Sequence, residues 1–427
     1  MTNDLRNTAE RALGRMRELG FDAALVTASA QRRNELNVAH NEPSLLRSGE
    51  SAKLQFVGLL DGRRAVADIS DLGDDSVAES LRGLRASVES APQDDANAVS
   101  SDQRAHVVQG AGDNDLAALT RSIGELLSWR EREAPAVMLE EALAAHNELR
   151  SHTLTSGGTE LSCELRWCDA TAFGVARDGA KSSSFNYAGG TCEQLTGAHF
   201  VERFGIGEML RQLESQVHTQ PLGASFVGSV VLTPRAAEDL LGWLLGQLSD
   251  QALIDASSVY RDRVGEAVAA PLLTLRNRPG AAGVGPFTPD AFAVKPLEVL
   301  TRGRLNCLTP SLYGSRKTGI AHVPVSADGW EMAAGATPLD EVIGGVARGA
   351  LVDRLSMGRP GANGDFSGVI KNSFAIDGGQ VGAALSETMI SGNVAQMLRD
   401  VSAVSAERID TGGSCLPWLR VEGLHFS

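Results

Sequence analysis

The sequence is short of the cysteines that a disulfide-stabilised protein needs. Its 427 residues include five, an odd number for a framework of paired disulfides. We therefore expect ordinary reduced cysteines in a reducing compartment. Cys163 and Cys168 are close in sequence, but there is no second pair to complete a zinc site. The five are Cys163, Cys168, Cys192, Cys307 and Cys415.

Long apolar runs and an excess of positive charge are also missing. Charged residues or glycines interrupt the apolar runs well before the roughly 20 residues that a membrane-spanning helix needs. The first 21 residues carry both signs of charge and lack the apolar core of a signal peptide. We therefore expect a cytoplasmic protein with no membrane segment. A net charge of -14 disfavours binding to nucleic acid, which depends on neutralising phosphates.

Common catalytic motifs are absent as well. The sequence has no Gly-x-Ser-x-Gly element, and its histidines are isolated from one another. His146 and His152 bracket Glu148, but six helical steps turn the chain by about 600°, which leaves the two rings on different faces. In a strand the same two residues would lie about 20 Å apart. We interpret both as surface histidines, and the glycine-rich stretches GAAGVG and GVARGA as turns.

The patterns that are present predict an α/β (α+β) protein of two domains. Helical spacing of apolar residues covers Asp4–Gly20, Asp74–Val88 and Asp115–Trp129, and a hairpin is predicted around Asp61-Gly62. The stretch AVMLEEALAAHNELRSHTL is ambiguous between helix and strand, and residues 192–218 are predicted to be mostly helical. We place an α/β domain at residues 1–220 and a strand-rich domain at residues 221–427, with the boundary near 219–226.

The stretch VGSVVLTPRAAEDLLGWLLGQ, residues 227–247, predicts a strand that turns directly into a helix. Thr233 is suited to cap the helix N-terminus, and Pro234 is suited to its first position, where a missing N–H is not needed. Strand-to-helix junctions often position reactive groups. This one carries no His, Cys or Ser near the helix start.

The C-terminal third carries a series of distinctive elements. In order they are GDFS (364–367), IDGGQVG (376–382), TMISGN (388–393) and GSCLPWLRVEG (413–423), and VLTRGRLNCLTPSLYGSRKTG (299–319) precedes them. Together they resemble the TldD/TldE (PmbA) metalloprotease family. RRNELNVAHNEPSLLRS (32–48) also resembles an early strand pair of that family. Asn393 is a plausible N-cap for the helix that follows it.

The resemblance implies that two subunit types pair, and that the zinc ligands lie in only one of them. The TldD type carries His-Glu-x-x-x-His on the helix after this strand, together with a cysteine near the C-terminus. Aligned on the pair Leu240-Leu241, these positions fall on Gly242, Trp243 and Gln247, none of which can replace the residue it aligns with. Cys415 lies near the position of the family cysteine. The chain therefore resembles the TldE/PmbA type, which lacks the motif.

The resemblance also implies a function, with alternatives. The first hypothesis is a non-catalytic TldE/PmbA-like subunit that binds no metal itself and pairs with a zinc-bearing TldD-like subunit. Such a complex hydrolyses peptide or amide bonds in unfolded peptides or peptide-like small molecules. Residues expected to line the substrate cavity are Tyr313, Arg316, Lys317, Asp365, Phe366 and Ser367. The alternatives are a subunit of an amide hydrolase in antibiotic biosynthesis, and a homodimeric peptide-binding protein without enzymatic activity.

Two departures from the family pattern favour the biosynthetic alternative slightly. An Asp-Glu-Gly element often precedes the hairpin of relatives, whereas this chain has GPFTPDAF there. The arginine that often follows the Gly-Asp-Phe-Ser element is replaced by Gly368-Val369. We therefore expect a divergent member whose handling of substrate differs from that of its relatives.

Overall fold

A computed structural model of the chain describes residues 2–110, 115–195, 200–386 and 388–427. The elements up to residue 215 are α1 (Thr2–Glu18), β1 (Ala23–Ala39), β2 (Glu42–Leu60), β3 (Arg63–Ile69), α2 (Asp74–Ser90), β4 (Arg104–Gln109), α3 (Leu116–Glu133), β5 (Val137–Thr155), β6 (Glu160–Asp178), β7 (Lys181–Ser182), β8 (Asn186–Cys192), a 3-10 turn (Arg203–Gly205) and α4 (Ile206–Ser215).

The remaining elements lie between residues 220 and 426. They are β9 (Gln220–Pro221), β10 (Phe226–Leu232), α5 (Pro234–Leu248), α6 (Asp250–Ile254), β11 (Leu275–Asn277), β12 (Glu298–Thr301), β13 (Arg304–Leu305), α7 (Leu312–Thr318), β14 (Trp330–Met332), α8 (Leu339–Gly344), β15 (Arg348–Val352), β16 (Arg354–Ser356), β17 (Asp365–Lys371), β18 (Phe374–Asp377), β19 (Gln380–Ser386), β20 (Met389–Asn393), α9 (Val394–Arg399), β21 (Val401–Asp410) and β22 (Ser414–Phe426). No helix in the described part of the chain is long and apolar enough to cross a membrane.

The first sheet is built from long antiparallel strands. Its order is β3-β2-β1-β5-β6-β4, and β7 and β8 pair with β6 beyond the end of β4. Along β1 the side chains alternate between two environments, as the period of two residues in a strand requires. Ala24, Val26 and Ala28 pack beneath α1 and α2, whereas Leu25 on the opposite face joins Ala291 of the C-terminal half. The sheet therefore has helices on one face and the C-terminal half against part of the other.

The second sheet has the order β13-β12-β11-β14-β22-β10-β15-β18-β19-β9. Its long strand β22 also pairs with β20 and β21. Strand β10 lies between β22, to which it is antiparallel, and β15, to which it is parallel. The largest apolar cluster of the molecule fills the space between these strands and helices α5 and α9. The α/β fold with a strand-rich C-terminal half is confirmed, while the boundary at residues 219–226 stays a prediction.

Strand β8 connects the two sheets. The Thr191 N–H donates to the Thr411 carbonyl oxygen at 2.9 Å, and the Thr191 hydroxyl donates to the Ala282 carbonyl oxygen at 2.6 Å. At the other end of β8, the buried Asn186 amide donates to the Asp353 carboxylate at 3.0 Å. One short strand thus holds the C-terminal half at two separate points.

The structure agrees with most of the predicted elements, resolves one ambiguity and corrects two interpretations. The helices α1, α2 and α3 and the hairpin at Asp61-Gly62 are confirmed. The ambiguous stretch is strand β5, paired on both sides by β1 and β6, so tertiary pairing outweighs its helix propensity. His146 and His152 are buried on this strand, so interpreting them as surface residues was wrong. Residues 192–218 include helix α4, but Cys192 ends a strand, and residues 196–199 lie outside the described residues.

The contact of β8 with the 410–412 turn predicts unequal effects for two glycine substitutions. Gly412 and Gly423 both have positive φ, 77° and 81°. A Cβ at Gly412 would lie 1.9 Å from Thr191 Oγ1, whereas a Cβ at Gly423 meets nothing within 4 Å. Gly423→Ala is expected to cost about 1–2 kcal/mol from backbone strain alone, and Gly412→Ala clearly more. Equal losses of unfolding free energy in urea would contradict the close packing of this turn.

Candidate functional site

The candidate site is built around the junction of β10 and α5. Thr233 is extended (φ -64°, ψ 164°), and its hydroxyl oxygen accepts a hydrogen bond from the Ala236 N–H at 3.3 Å. Pro234 follows at the first helical position. The predicted capping of this helix is therefore confirmed. The hydroxyl of Thr233 also lies 3.1 Å from an oxygen of the Asp353 carboxylate, which ties the helix start to the end of β15.

One face of α5 is apolar and buried, and the opposite face is open. The buried side chains belong to the main C-terminal core; they are Ala236, Ala237, Leu240, Leu241, Leu244 and Leu248. Glu238, Asp239, Gly242 and Gly246 lie on the exposed face. Desolvation of the Asp239 carboxyl by the surrounding protein raises its pKa to about 6, and the negative charge of Glu238 is the second cause. The open face thus combines two acidic side chains with two positions that carry no side chain at all.

Gly242 and Trp243 are the residues that the sequence comparison above aligns with the first two positions of the expected zinc motif. A Cβ at Gly242 would meet nothing within 4 Å, so the position has room for a side chain but supplies no ligand atom. Trp243 is half-buried against the edge of Tyr260, with ring centroids 5.9 Å apart, and it packs on the main C-terminal core. Its Nε1–H points to the Gly361 carbonyl oxygen at 3.4 Å. The tryptophan is a packing residue in this geometry and offers no base.

Gln247 and Cys415, the other two aligned positions, are also committed to local structure. Gln247 is buried, and its side-chain oxygen accepts a hydrogen bond from the Val259 N–H at 3.0 Å. Cys415 is buried on β22, opposite Glu331 on one side and Asp410 on the other. Burial, followed by the charge of Asp410, raises the pKa of the Cys415 thiol.

These residues do not fit a zinc ion. Zinc in proteins takes imidazole nitrogens, thiolates and carboxylates, commonly in tetrahedral sets of four. Gly242 and Trp243 supply no such donor, and the oxygen of Gln247 is already used by a backbone N–H. Across the described ranges, no group of three or more His, Cys, Asp and Glu side chains is arranged to hold a metal. The chain nevertheless brings β22 to the helix, because Ser414 hydrogen-bonds to Glu238 one turn before Gly242.

The Gly364–Ser367 segment, predicted to line a cavity, lies beside the tryptophan. A Cβ at Gly364 would lie 3.1 Å from Trp243 Cζ2, so the loop before β17 packs directly against this ring. The Asp365 carboxylate accepts hydrogen bonds from Asn393 at 2.8 Å and Asn363 at 2.6 Å, and these lower its pKa. Asp365 and Ser367 are exposed, whereas Phe366 points into the core.

Tyr313, Arg316 and Lys317, the other predicted lining residues, lie on α7 and reach the N-terminal half. The Tyr313 hydroxyl donates to Asp94 at 2.7 Å, and the Lys317 amine lies 2.9 Å from the same carboxylate. Arg316 donates to the Asp95 carbonyl oxygen at 2.8 Å. Arg316 and Lys317 line one side of an open cleft of about 740 Å³, with residues 93–96 on the other.

The predicted lining residues therefore form two groups. Among the residues that the structure describes, no hydrogen bond or ion pair joins the α7 group to the Asp365 group. They are connected through the C-terminal half of α5 and the residue beyond it, because Asp250, just after the helix, accepts hydrogen bonds from the backbone and hydroxyl of Ser311 at the start of α7. Trp243 provides the contact with the loop before Asp365.

The match to a known family is found in the C-terminal half, where this site lies. Residues 227–427 match the family model described as the PmbA/TldA metallopeptidase C-terminal domain. This half of the chain therefore carries the C-terminal domain of the TldD/PmbA family. The metalloprotease PmbA of Escherichia coli O157:H7 is 22% identical over 206 residues, which cover 45% of this chain and 45% of PmbA. The aligned region thus spans less than half of that relative.

Solved structures of similar proteins share the fold over nearly the whole chain. TldE from Thermococcus kodakarensis has a TM-score of 0.82 and 17% identity, with 98% of this chain and 100% of that chain covered. A protein from Bacteroides thetaiotaomicron named for modulation of DNA gyrase has a TM-score of 0.83 and 20% identity, with 100% and 99% covered. A protein of similar name from Thermotoga maritima has a TM-score of 0.77 and 15% identity, with 99% of both chains covered.

One departure from the TldD/PmbA pattern has a structural reason. Gly368 stands where the resemblance leads us to expect an arginine, and its backbone lies close to β16. A Cβ at this position would lie 2.6 Å from the Ser356 carbonyl oxygen. The pairing of β16 with β17 therefore excludes any larger residue here. This close contact explains why glycine occupies position 368 in this chain.

Sequence reasoning missed the residues that link the site to the N-terminal half. Asp94 and Asp95 lie in a polar loop whose sequence gives no sign of a functional role. They are more than 200 residues from their partners on α7. Arg235, on the first turn of α5, donates to the buried Asn186 side chain at 2.8 Å. No local sequence pattern marks such long-range pairs. Glu238 and Asp239 could have been found, because they precede Gly242 and Trp243 by one helical turn.

The packing role of Trp243 predicts a stability effect. Trp243→Ala removes a half-buried ring from the core and from Tyr260, and is expected to cost about 2–3 kcal/mol of unfolding free energy. Trp243→Phe retains most of the contact area and is expected to cost about 1 kcal/mol or less. Urea unfolding of the two variants measures the difference. An alanine variant as stable as the wild type would contradict the packing role.

The contact of α7 with Asp94 predicts a pH dependence. Hydrogen bonds from Lys317, from the Ala96 N–H and from Tyr313 lower the pKa of Asp94 from 3.8 to about 2. A lowered pKa stabilises the folded state above the ordinary value of 3.8, and this stabilisation is lost as the pH falls through about 2.

Asp94→Asn is therefore expected to lose stability at neutral pH and to show a shallower decline than the wild type between pH 4 and pH 2. The midpoint of urea unfolding, determined at each pH, measures both the loss of stability and the slope of the decline. Asp95→Asn is the matched control, because Asp95 contributes its backbone carbonyl oxygen to Arg316. If the stability of Asp94→Asn falls between pH 4 and pH 2 as steeply as that of the wild type, the Asp94 carboxylate does not hold α7.

Proposed function

We propose that this chain is the non-catalytic, TldE-like subunit of a heterodimeric zinc metalloprotease. A separate TldD-like subunit supplies the zinc, the general base and the attacking water. The observation that supports the proposal is the set of residues at the aligned motif positions of α5. These are Gly242, a Trp243 packed against Tyr260, and a Gln247 hydrogen-bonded to the Val259 N–H. A chain with this helix has lost the means to bind the metal but has kept the fold around it.

The role of the chain in this proposal is to form part of the substrate chamber. The exposed face of α5 and the exposed side chains Asp365 and Ser367 are the surfaces that would face it. Strand β17 presents Ser367 on its outer face, while Phe366 anchors the strand in the core. In this proposal these exposed side chains contact the substrate, an unfolded peptide or a peptide-like small molecule.

A second candidate, within the same architecture, is a subunit of an amide hydrolase in natural-product biosynthesis. The exclusion of a side chain at Gly368 favours it, because the arginine often found there in relatives cannot be accommodated. A general peptidase complex cleaves many unrelated unfolded peptides. A biosynthetic complex prefers one peptide-like compound, so a substrate panel separates the two.

The proposal is tested by co-purification and hydrolysis. The chain, co-expressed with a TldD-like subunit from the same source, is expected to form a stable pair that hydrolyses an unfolded peptide, whereas this chain alone does not. Replacing the glutamate of the partner's zinc motif with glutamine is expected to abolish hydrolysis without preventing pairing. Hydrolysis by this chain alone, or failure to pair, would contradict the proposal.

A substitution in this chain tests whether it forms a wall of the chamber. Ser367→Trp adds bulk to the exposed face of β17 and is expected to reduce the rate of hydrolysis about tenfold or more while pairing persists. Ser87→Trp, on the exposed surface of α2, is the matched control and is expected to leave the rate unchanged. Equal rates of hydrolysis for the two variants would show that Ser367 does not line the chamber.

A further inference from the structure

Two of the free cysteines face each other across paired strands. Cys168 on β6 lies directly opposite Cys192 on β8 in the antiparallel register, and both are free. Residues in this relation project from the same face, with their Cα atoms about 4.5–5.5 Å apart. A disulfide spans Cα separations of about 4.4–6.8 Å. The backbone therefore already has the spacing that a cross-strand disulfide needs.

The other cysteines are not arranged in this way. Cys163, also on β6, lies opposite Ser151, with Oγ and Sγ 3.1 Å apart. Cys415 lies opposite Glu331 and Asp410. Within the described strands, Cys168 and Cys192 are thus the cysteines placed in register with each other.

The two thiols differ in their access to solution. Cys168 is buried, whereas Cys192 is half-buried at the end of the edge strand β8. Burial raises the pKa of Cys168 to about 12, and the nearby Cys192 thiol adds to the effect, so the two sulfurs are within electrostatic reach. Burial also raises the pKa of Cys192, but the Arg203 guanidinium acts against this by charge and by a hydrogen bond. Cys192 is therefore the sulfur that meets an oxidant first.

The position of this pair matters for the rest of the molecule. The residue next to Cys192 is Thr191, whose backbone and hydroxyl bind Thr411 and Ala282 of the C-terminal half. A covalent bond between β8 and β6 would fix the strand that carries these contacts. It would hold the turn at residues 410–412 against the first sheet.

We propose that Cys168 and Cys192 form a reversible cross-strand disulfide that locks β8 onto β6. With hydrogen peroxide as oxidant, the Cys192 thiol loses its proton and its sulfur attacks one oxygen; the O–O bond breaks, and the departing hydroxide takes up that proton as water. The sulfur of Cys168 then attacks the sulfenic sulfur of Cys192; the S–S bond forms, the S–O bond breaks, and the hydroxyl leaves with the Cys168 thiol proton as water. Two thiols and one peroxide thus give one disulfide and two waters. A small thiol such as glutathione reverses the step by two thiol–disulfide exchanges.

The test is a count of free thiols in the native full-length chain before and after a mild dose of hydrogen peroxide. Alkylation in denaturant and peptide mass spectrometry are expected to show a fall from five free thiols to three, with one bridge between Cys168 and Cys192. Glutathione is expected to restore five. Amide hydrogen exchange in β8 is expected to slow in the oxidised form.

Three variants make the test specific. Cys163→Ser is the matched control, on the same strand, and is expected to form the bridge as the wild type does. Cys192→Ser is expected to keep its remaining thiols at the same dose. Cys168→Ser is expected to accumulate a sulfenic acid at Cys192, which dimedone captures. Five intact thiols, a bridge between any other pair or between two chains, or unchanged exchange in β8 would overturn the proposal.

Discussion

The burial of one face of α5 is the constraint on which the C-terminal half depends. Leu240, Leu241 and Leu244 insert into a core shared by the central strands of the second sheet. Full burial of a leucine contributes about 1.5–3 kcal/mol, so these three side chains alone fix the helix firmly. The capping hydroxyl of Thr233 fixes one end, and Asp250 attaches α7 just beyond the other. The helix is held by apolar packing and does not need a metal to hold it.

Under the proposed function, this arrangement allows the chain to keep the fold without zinc ligands on α5. Gly242 lies outside the buried face, so a change at this position leaves the leucine packing untouched. Gly242 lies on the exposed face, and glycine there costs helix stability of about 1 kcal/mol relative to alanine. Trp243 offsets such losses by contact with Tyr260 and with the loop before Asp365.

The sequence predicts this part of the molecule better than the contacts around it. The junction of β10 and α5 follows from local rules, namely a threonine cap and a proline at the first helical position, and Asn393 caps α9 in the same way, 3.0 Å from the Gln396 N–H. The 19-residue strand β5 was ambiguous because its apolar pattern also suits a helix, and only its two neighbours decide the outcome.

The candidate lining residues show the same limit. Their alignment with family elements locates them on β17 and α7, but sequence gives no sign that Asp94 holds Tyr313 and Lys317 across more than 200 residues. Nor does it show that Phe366 faces inward while its neighbours face outward, which follows from the pairing of β17 with β20. Long-range contacts of this kind depend on how the two halves meet.

The most direct test of the account is the zinc content of the purified chain, alone and in complex with a TldD-like subunit. After dialysis against a mild chelator, elemental analysis should find far less than one zinc per molecule of the chain alone, and about one per heterodimer. One zinc held tightly by this chain alone would contradict the central claim. In that case α5, or another part of the chain, would have to supply ligands that Gly242, Trp243 and Gln247 do not offer.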